Sequence, residues 1–223
     1  MPKPFNTLTA IAAPIMRGNI DTDVIIRIER LVGNSIRGTL GKWAFGALRY
    51  LPDGSENPEF ILNREPYRQA EILITGPNFG CGSSREGAVW SLQEMGIRVV
   101  IGSSFGDIFF ANCFQNGILP VVVDKEIVDG LAAEVQQTQG AGRISIDLEQ
   151  QTILSPSGQR HEFAIDPRRR AGLLEGLDEV AQTLQRDDEI RAFQAADQAT
   201  RPWIHFARKT ARKTSGKTAG NEA

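Results

Sequence analysis

The chain has 223 residues, 41% of them hydrophobic, enough for one sizeable core or one domain with a helical appendage. A formal charge of −2 leaves no global basic field to draw nucleic acid, and no apolar run reaches membrane-spanning length. The two cysteines, Cys81 and Cys113, make no disulfide framework and cannot hold an iron–sulfur cluster by themselves.

The first residues, MPKPFNTLTA, lack a secretory pattern, so a cytoplasmic protein is expected. With only His161 and His205 as histidines, a zinc site is not expected either. TLTAIAAPI reads as an opening strand, followed by a loop through MRGNIDTD. Residues 33–70, rich in Gly, Pro and Asn, read as a long irregular segment with a short helix near 42–49; such loops are uncommon unless functional. EILITG is a buried-type strand. A helix over roughly 84–95 follows, with Ala88, Leu92 and Met95 on one face and Gly96 ending it. IRVVIG is the next strand. SSFGDIFFANCF is a short helix with Ser104 and Asp107 at capping spacing. GILPVVV is a third strand, and DKEIVDGLAAEVQQ an amphipathic helix capped by Asp124.

Strand–helix alternation of this kind predicts a parallel sheet with right-handed crossovers. RISIDL, QTILS and RHEFAI then add β hairpins, and DPRRRAGLLEGLDEVAQTL and DDEIRAFQAA are helical. The tail from 207 to 223, with little apolar content, is expected to be disordered.

The segment NFGCGSSREG, residues 78–87, lies between a strand and a helix, where open α/β sheets place ligands. Ser83 and Glu86 have capping-box spacing, so a well-capped helix is one reading. That reading leaves Gly80, Gly82, Ser84 and Arg85 unexplained. A cation in the first helical turn is disfavoured by about 0.3–1 kcal/mol, which points instead to an anion bound between Arg85 and the helix end. The segment has no Walker lysine, and a dinucleotide fingerprint would need glycine at Arg85. A nucleotide-binding module of Rossmann type is therefore the weaker alternative. Arginine's forked donor matches carboxylate, so a small polycarboxylate fits better. Backbone N–H groups and a guanidinium can stabilise a serine alkoxide beside it.

Taken together, NIDTDVII, NFGCGSSREG, VVIGSSFGDIFFANCFQNGILPV and GLDEVAQTLQRDDEI resemble the 3-isopropylmalate dehydratase small-subunit family of the aconitase superfamily, from about residue 8 to about 200. The resemblance implies a swivelling β/β/α domain over residues 1–206, with a mostly parallel core sheet, added β hairpins and C-terminal helices. It implies a large partner subunit that holds a [4Fe–4S] cluster, and no metal on this chain. The implied reaction is dehydration and rehydration, converting 2-isopropylmalate to 3-isopropylmalate in leucine biosynthesis. Ser83 would take the carbon-bound proton, and Ser84 and Arg85 would bind substrate carboxylate, with Arg37 of NSIRG as a further anchor. Asp21, Asp23, Gly80 and Gly82 would edge the site, although the two aspartates read equally well as turn and cap residues.

The chain departs from the family pattern at Gly87, where histidine is usual, and at Arg27, where proline is usual. The GNSIRGTLGKWAFGALRY loop also differs, and this region faces the substrate's side group in the superfamily. A 2-methylmalate or 2,3-dimethylmalate hydro-lyase is the close alternative, and a partner that kept the fold and lost the chemistry is a third reading.

Overall fold

The computed structural model describes residues 2–32 and 37–205; the tail expected to be disordered lies outside them. The chain divides into two compact units, Met1–Glu179 and Val180–Ala223. The first unit holds β1 (Thr7–Ile15), α1 (Thr22–Ile25), α2 (Gly46–Arg49), β2 (Ile72–Thr75), α3 (Glu86–Met95), β3 (Val99–Gly102), α4 (Asp107–Gln115) and β4 (Leu119–Val122). It continues with α5 (Lys125–Gln137), β5 (Arg143–Asp147), β6 (Thr152–Leu154), β7 (Arg160–Glu162) and α6 (Pro167–Glu175). Helix α7 (Glu179–Leu184) begins at the boundary, and α8 (Asp187–Thr200) belongs to the second unit.

The seven strands form one sheet in the order β4-β3-β2-β1-β5-β6-β7. From β1 to β4 neighbours run parallel; from β1 through β5 and β6 to β7 they run antiparallel. The residues explain the division. Strands β2 and β3 are buried at every position, as apolar runs covered on both faces must be. Strand β5 alternates buried and more exposed positions, the period of a sheet wetted on one side. The two halves meet on β1, where Thr7–Ile11 pair with β5 and Ala12–Ile15 pair with β2. The α/β architecture with added hairpins is the one expected.

Helix α5 packs on β1, β2 and β3, burying Val128, Leu131, Ala132 and Val135. Helix α3 packs against α1 and α4, and α4 against β4 and α6. Gly96 ends α3 in the left-handed region (φ 104°), its N–H reaching the carbonyls of Gln93 and Leu92. The irregular stretch from 37 to 70 contains α2 and 3-10 turns at Gly41–Trp43, Ile61–Asn63 and Tyr67–Gln69. Buried Arg49 organises part of it: its Nε donates to Asn63 Oδ1 (3.2 Å), and Asn63 Nδ2 donates back to the Arg49 carbonyl (2.7 Å).

Three expected caps do not form. Helix α3 starts at Glu86 with Arg85 as its extended N-cap residue and no side-chain cap bond, so Ser83 and Glu86 make no capping box. Ser104 does not cap α4; its Oγ accepts from the Asn78 N–H (2.8 Å), and Gly106 takes the N-cap position. Asp124 sits at the N-cap of α5 without a side-chain bond to it. At Ser104 a bond to a distant loop replaces the local one.

Candidate active site

Three loops leave the C-terminal ends of β1, β2 and β3 and are stitched to one another by their backbones. The Gly80 N–H donates to the Ile20 carbonyl (2.7 Å), Thr22 N–H to Cys81 (3.0 Å), Phe79 N–H to Ser104 (3.2 Å) and Gly106 N–H to Phe79 (2.9 Å). Asn78 Nδ2 donates to Asn19 Oδ1 (2.8 Å), and both asparagines hold positive φ, a conformation that asparagine tolerates better than most residues. Gly80 is obligatory, because it adopts φ 72° and a Cβ there would overlap the Phe109 ring. The NFGCGSSREG segment is thus a fixed part of the scaffold, wedged between the two neighbouring loops.

Past Gly82 the chain turns outward. Ser83 and Ser84 are exposed, and among the described residues neither hydroxyl has a hydrogen-bond partner. The Ser83 backbone is held all the same, since buried Thr22 donates its Oγ1 proton to the Ser83 carbonyl (2.9 Å). That bond ties residue 83 to α1, and α3 starts only at Glu86. The first N–H groups of α3, lacking a side-chain cap, therefore stay open to an anion beside the two serines.

Arg85 closes this group. Its guanidinium forms an ion pair with Asp23, and its side chain is only 17% exposed against 52% for Asp23. One Arg85 nitrogen is engaged there, which leaves the rest of the fork for a ligand. Asp21 acts as the cap of α1, its Oδ1 accepting from the Val24 N–H (2.8 Å). Of the two aspartates, then, one serves local structure and the other touches the arginine.

Arg37 stacks on helix α3. Its Cζ sits 4.0 Å from the Trp90 ring centroid, and its Nη2 donates to Asn116 Oδ1 (3.2 Å). Asn116, itself buried, donates to Glu86 Oε1 (2.9 Å). Arg37 is thus tied through Asn116 to Glu86, the first residue of α3. The segment after Arg37 is anchored by Glu94, whose carboxylate accepts from the N–H groups of Gly38 (2.7 Å), Leu40 (2.5 Å) and Gly41 (3.2 Å).

Beyond Asp23 opens a cleft of about 760 Å³, lined by Arg27, Arg30, Lys42, Trp43 and Tyr50 among others. Thr22, Asn116 and this cleft were not foreseen from the sequence. The cleft left one signal, an arginine at position 27 where the family pattern calls for proline.

Comparison with known proteins decides the family. The profile of the Aconitase C-terminal domain matches residues 2–126, LeuD_N matches 129–167, and the profile for the C-terminal domain of the 3-isopropylmalate dehydratase small subunit matches 179–207. Proteins named 3-isopropylmalate dehydratase small subunit from Gluconacetobacter diazotrophicus and Gluconobacter oxydans are each 52% identical, over 89% and 90% of this chain and 95% and 94% of theirs. The chain belongs to the 3-isopropylmalate dehydratase small-subunit family. The crystal structure of a 3-isopropylmalate dehydratase from Methanocaldococcus jannaschii has the same fold, with a TM-score of 0.59 at 21% identity, covering 84% of this chain and 99% of that one.

The family is one of hydro-lyases within the aconitase superfamily, and its usual motif gives Gly87 a structural reading. Gly87 is buried, and a Cβ added to it would come within 2.5 Å of Leu31 Cδ2. Leu31 fills the space that the family's usual histidine would enter. Among the described residues no group of three or more His, Cys, Asp and Glu is placed to hold a metal ion. Cys113 is fully buried, and burial pushes its thiol well above the ordinary value. No described helix is long and apolar enough to cross a membrane.

Proposed function

We propose that this chain is the small subunit of a cytoplasmic hydro-lyase that isomerises 2-isopropylmalate to 3-isopropylmalate by dehydration and rehydration, in leucine biosynthesis, and that it works only when joined to a large subunit. What carries the reading is one juxtaposition: two serine hydroxyls without a partner among the described residues, and Arg85, at the uncapped end of α3, in a chain half identical to proteins bearing that name. Residues 1–206 act as the swivel-type module and 207–223 as a tail.

The residues divide the work by their chemistry. Ser83 is the base that takes the proton from the substrate's carbon, its alkoxide favoured by the helix end and the neighbouring guanidinium. Ser84 and Arg85 hold a carboxylate, Arg85 as a fork already aimed by Asp23. The Gly80 and Gly82 turns fix where the hydroxyl stands, which is the positioning a proton transfer needs. Arg37 is a further carboxylate anchor, tied to the start of α3 through Asn116. The [4Fe–4S] cluster belongs to the large subunit. The donors of this chain do not suit it, because Cys113 is sealed as a thiol in the core and Cys81 stands without a second accessible cysteine.

The test is an anaerobic assay of the reconstituted pair against isopropylmalate, methylmalate and dimethylmalate. Isopropylmalate should be turned over fastest. Ser83→Ala should lower kcat by about 10²–10⁴-fold, the usual worth of a positioned base. Arg85→Lys should mainly raise KM, since a point charge replaces a fork. Undiminished kcat in Ser83→Ala would remove that serine from the mechanism, and a preference for methylmalate or dimethylmalate would move the enzyme to the related hydro-lyases.

A further inference from the structure

The cleft beyond Asp23 is not explained by the chemistry at Ser83. Three cations line it, Arg27, Arg30 and Lys42, and Asp23 is the one acid among its described lining residues. Asp23 is already engaged by Arg85. Among the described residues none of the three cations has a carboxylate partner. Arg30 and Lys42 instead lie on the face of Trp43, with Arg30 Cζ 3.5 Å and Lys42 Nζ 5.4 Å from the ring centroid. Both are exposed, as are Arg27 and, between Arg27 and Arg30, Ile28 at 47%. Leu51, also in the lining, is 40% exposed.

Two occupants could satisfy such a surface, a small anion or an acidic segment of another chain, and the geometry favours the second. Pockets of about 300–1,000 Å³ hold drug-sized molecules, so a small diacid would leave much of a 760 Å³ cleft to water. Its composition is that of an interface hot spot, where Arg, Trp and Tyr concentrate and exposed apolar side chains flank them. The cations also stand outside the group formed by Ser83, Ser84 and Arg85.

We infer that the cleft lined by Arg27, Arg30, Lys42, Trp43 and Tyr50 is a docking surface for an acidic segment of the large subunit, which neutralises these cations and is drawn in by them. This rests on the reading that the chain works with a large subunit. The surface borders Asp23, and through it Arg85, so the segment that fills it covers one side of the substrate site.

The experiment measures the affinity of the full-length small subunit for the purified large subunit, at about 50 mM and about 500 mM salt, where screening lengths differ severalfold. The variants are Arg30→Glu/Lys42→Glu, the gentler Arg30→Gln/Lys42→Gln, and Arg143→Glu on β5 as a control, with thermal unfolding confirming that each is folded. The charge-reversed pair should bind at least about tenfold more weakly than wild type at low salt, with the gap narrowing at high salt. The neutralised pair should fall between the two, and Arg143→Glu should bind as wild type does. Affinity within twofold of wild type for both cleft variants overturns the inference. So does intact assembly with a raised KM, which would give the cleft to substrate. If the wild-type subunits fail to assemble at all, the partner reading falls and takes this inference with it.

Discussion

Gly87 is a single position at which chemistry and packing can be separated. In the family's usual motif a histidine follows the Ser-Ser-Arg-Glu run; in this chain the space over residue 87 belongs to Leu31. A Cβ alone would press on the end of the leucine side chain, and an imidazole would have to displace it. Gly87→His is therefore expected to lower stability by about 1–3 kcal/mol, the usual cost of overpacking. Leu31→Ala made in the same chain should recover much of that loss, because the second change removes the atoms with which the first collides. Denaturant titrations of the two single variants and the double variant test this. A coupling of about 1 kcal/mol or more between the sites is expected, and strictly additive effects would show that Leu31 is not what excludes the histidine. The glycine was readable in the sequence as a departure. Its reason was not, since Leu31 lies 56 positions away in a segment with no regular period.

At the scale of elements, what could be read depended on whether the determining contacts are local. Strands β2 and β3 were legible because a buried parallel strand must be a continuous apolar run, and Gly96 was legible because a left-handed helix end needs glycine. The caps failed for the opposite reason. Ser83 has the spacing for a capping box with Glu86, yet Arg85 takes the N-cap position, Asn116 claims the Glu86 carboxylate, and Thr22 holds residue 83 by its carbonyl. Spacing alone could not weigh those distant partners.

A similar long-range tie joins α5 to the loop between β6 and β7, where Glu134 Oε2 accepts from the Ser157 N–H (2.9 Å). Partial burial pushes this carboxyl up, but the bonds from the Ser157 N–H and the Ser155 and Ser157 hydroxyls outweigh that and hold it below the ordinary value of 4.5. A carboxyl depressed in the folded state adds stability that is fully present above its unfolded value and is lost as pH falls through the folded one. Glu134→Gln should accordingly lower the melting temperature slightly at pH 7. The difference from wild type should shrink steadily as pH drops below 4.5. A gap that stays constant down to pH 3 would mean that the carboxylate charge plays no part in the tie.

The whole molecule is uneven in how firmly it is built, and the unevenness follows the division into two units. The first unit contains the entire sheet and every proposed site residue, and the active-site loops hang from its parallel half, where β2 and β3 are buried at all positions. The second is carried by α8, in which no residue is buried and Phe193 is 68% exposed. A helix that buries no apolar face draws little stability from tertiary packing, and 14 residues is marginal length for a helix standing on its own propensity. Its acidic first turn and the Asp187–Arg191 and Arg186–Glu189 pairs add only tenths of a kcal/mol each. Amide hydrogen exchange on the isolated small subunit should therefore find α8 opening with little protection, while the amides of β1 through β4 exchange only with global unfolding. The loop amides of Gly80 and Thr22, bonded across to Ile20 and Cys81, should follow the sheet and not the surface, because a site that must hold a hydroxyl in place cannot hang from a segment that frays. Rapid exchange at Gly80 and Thr22, at the rate of α8, would mean that the serine loop is ordered only after the large subunit arrives, and the preorganised base would have to be abandoned.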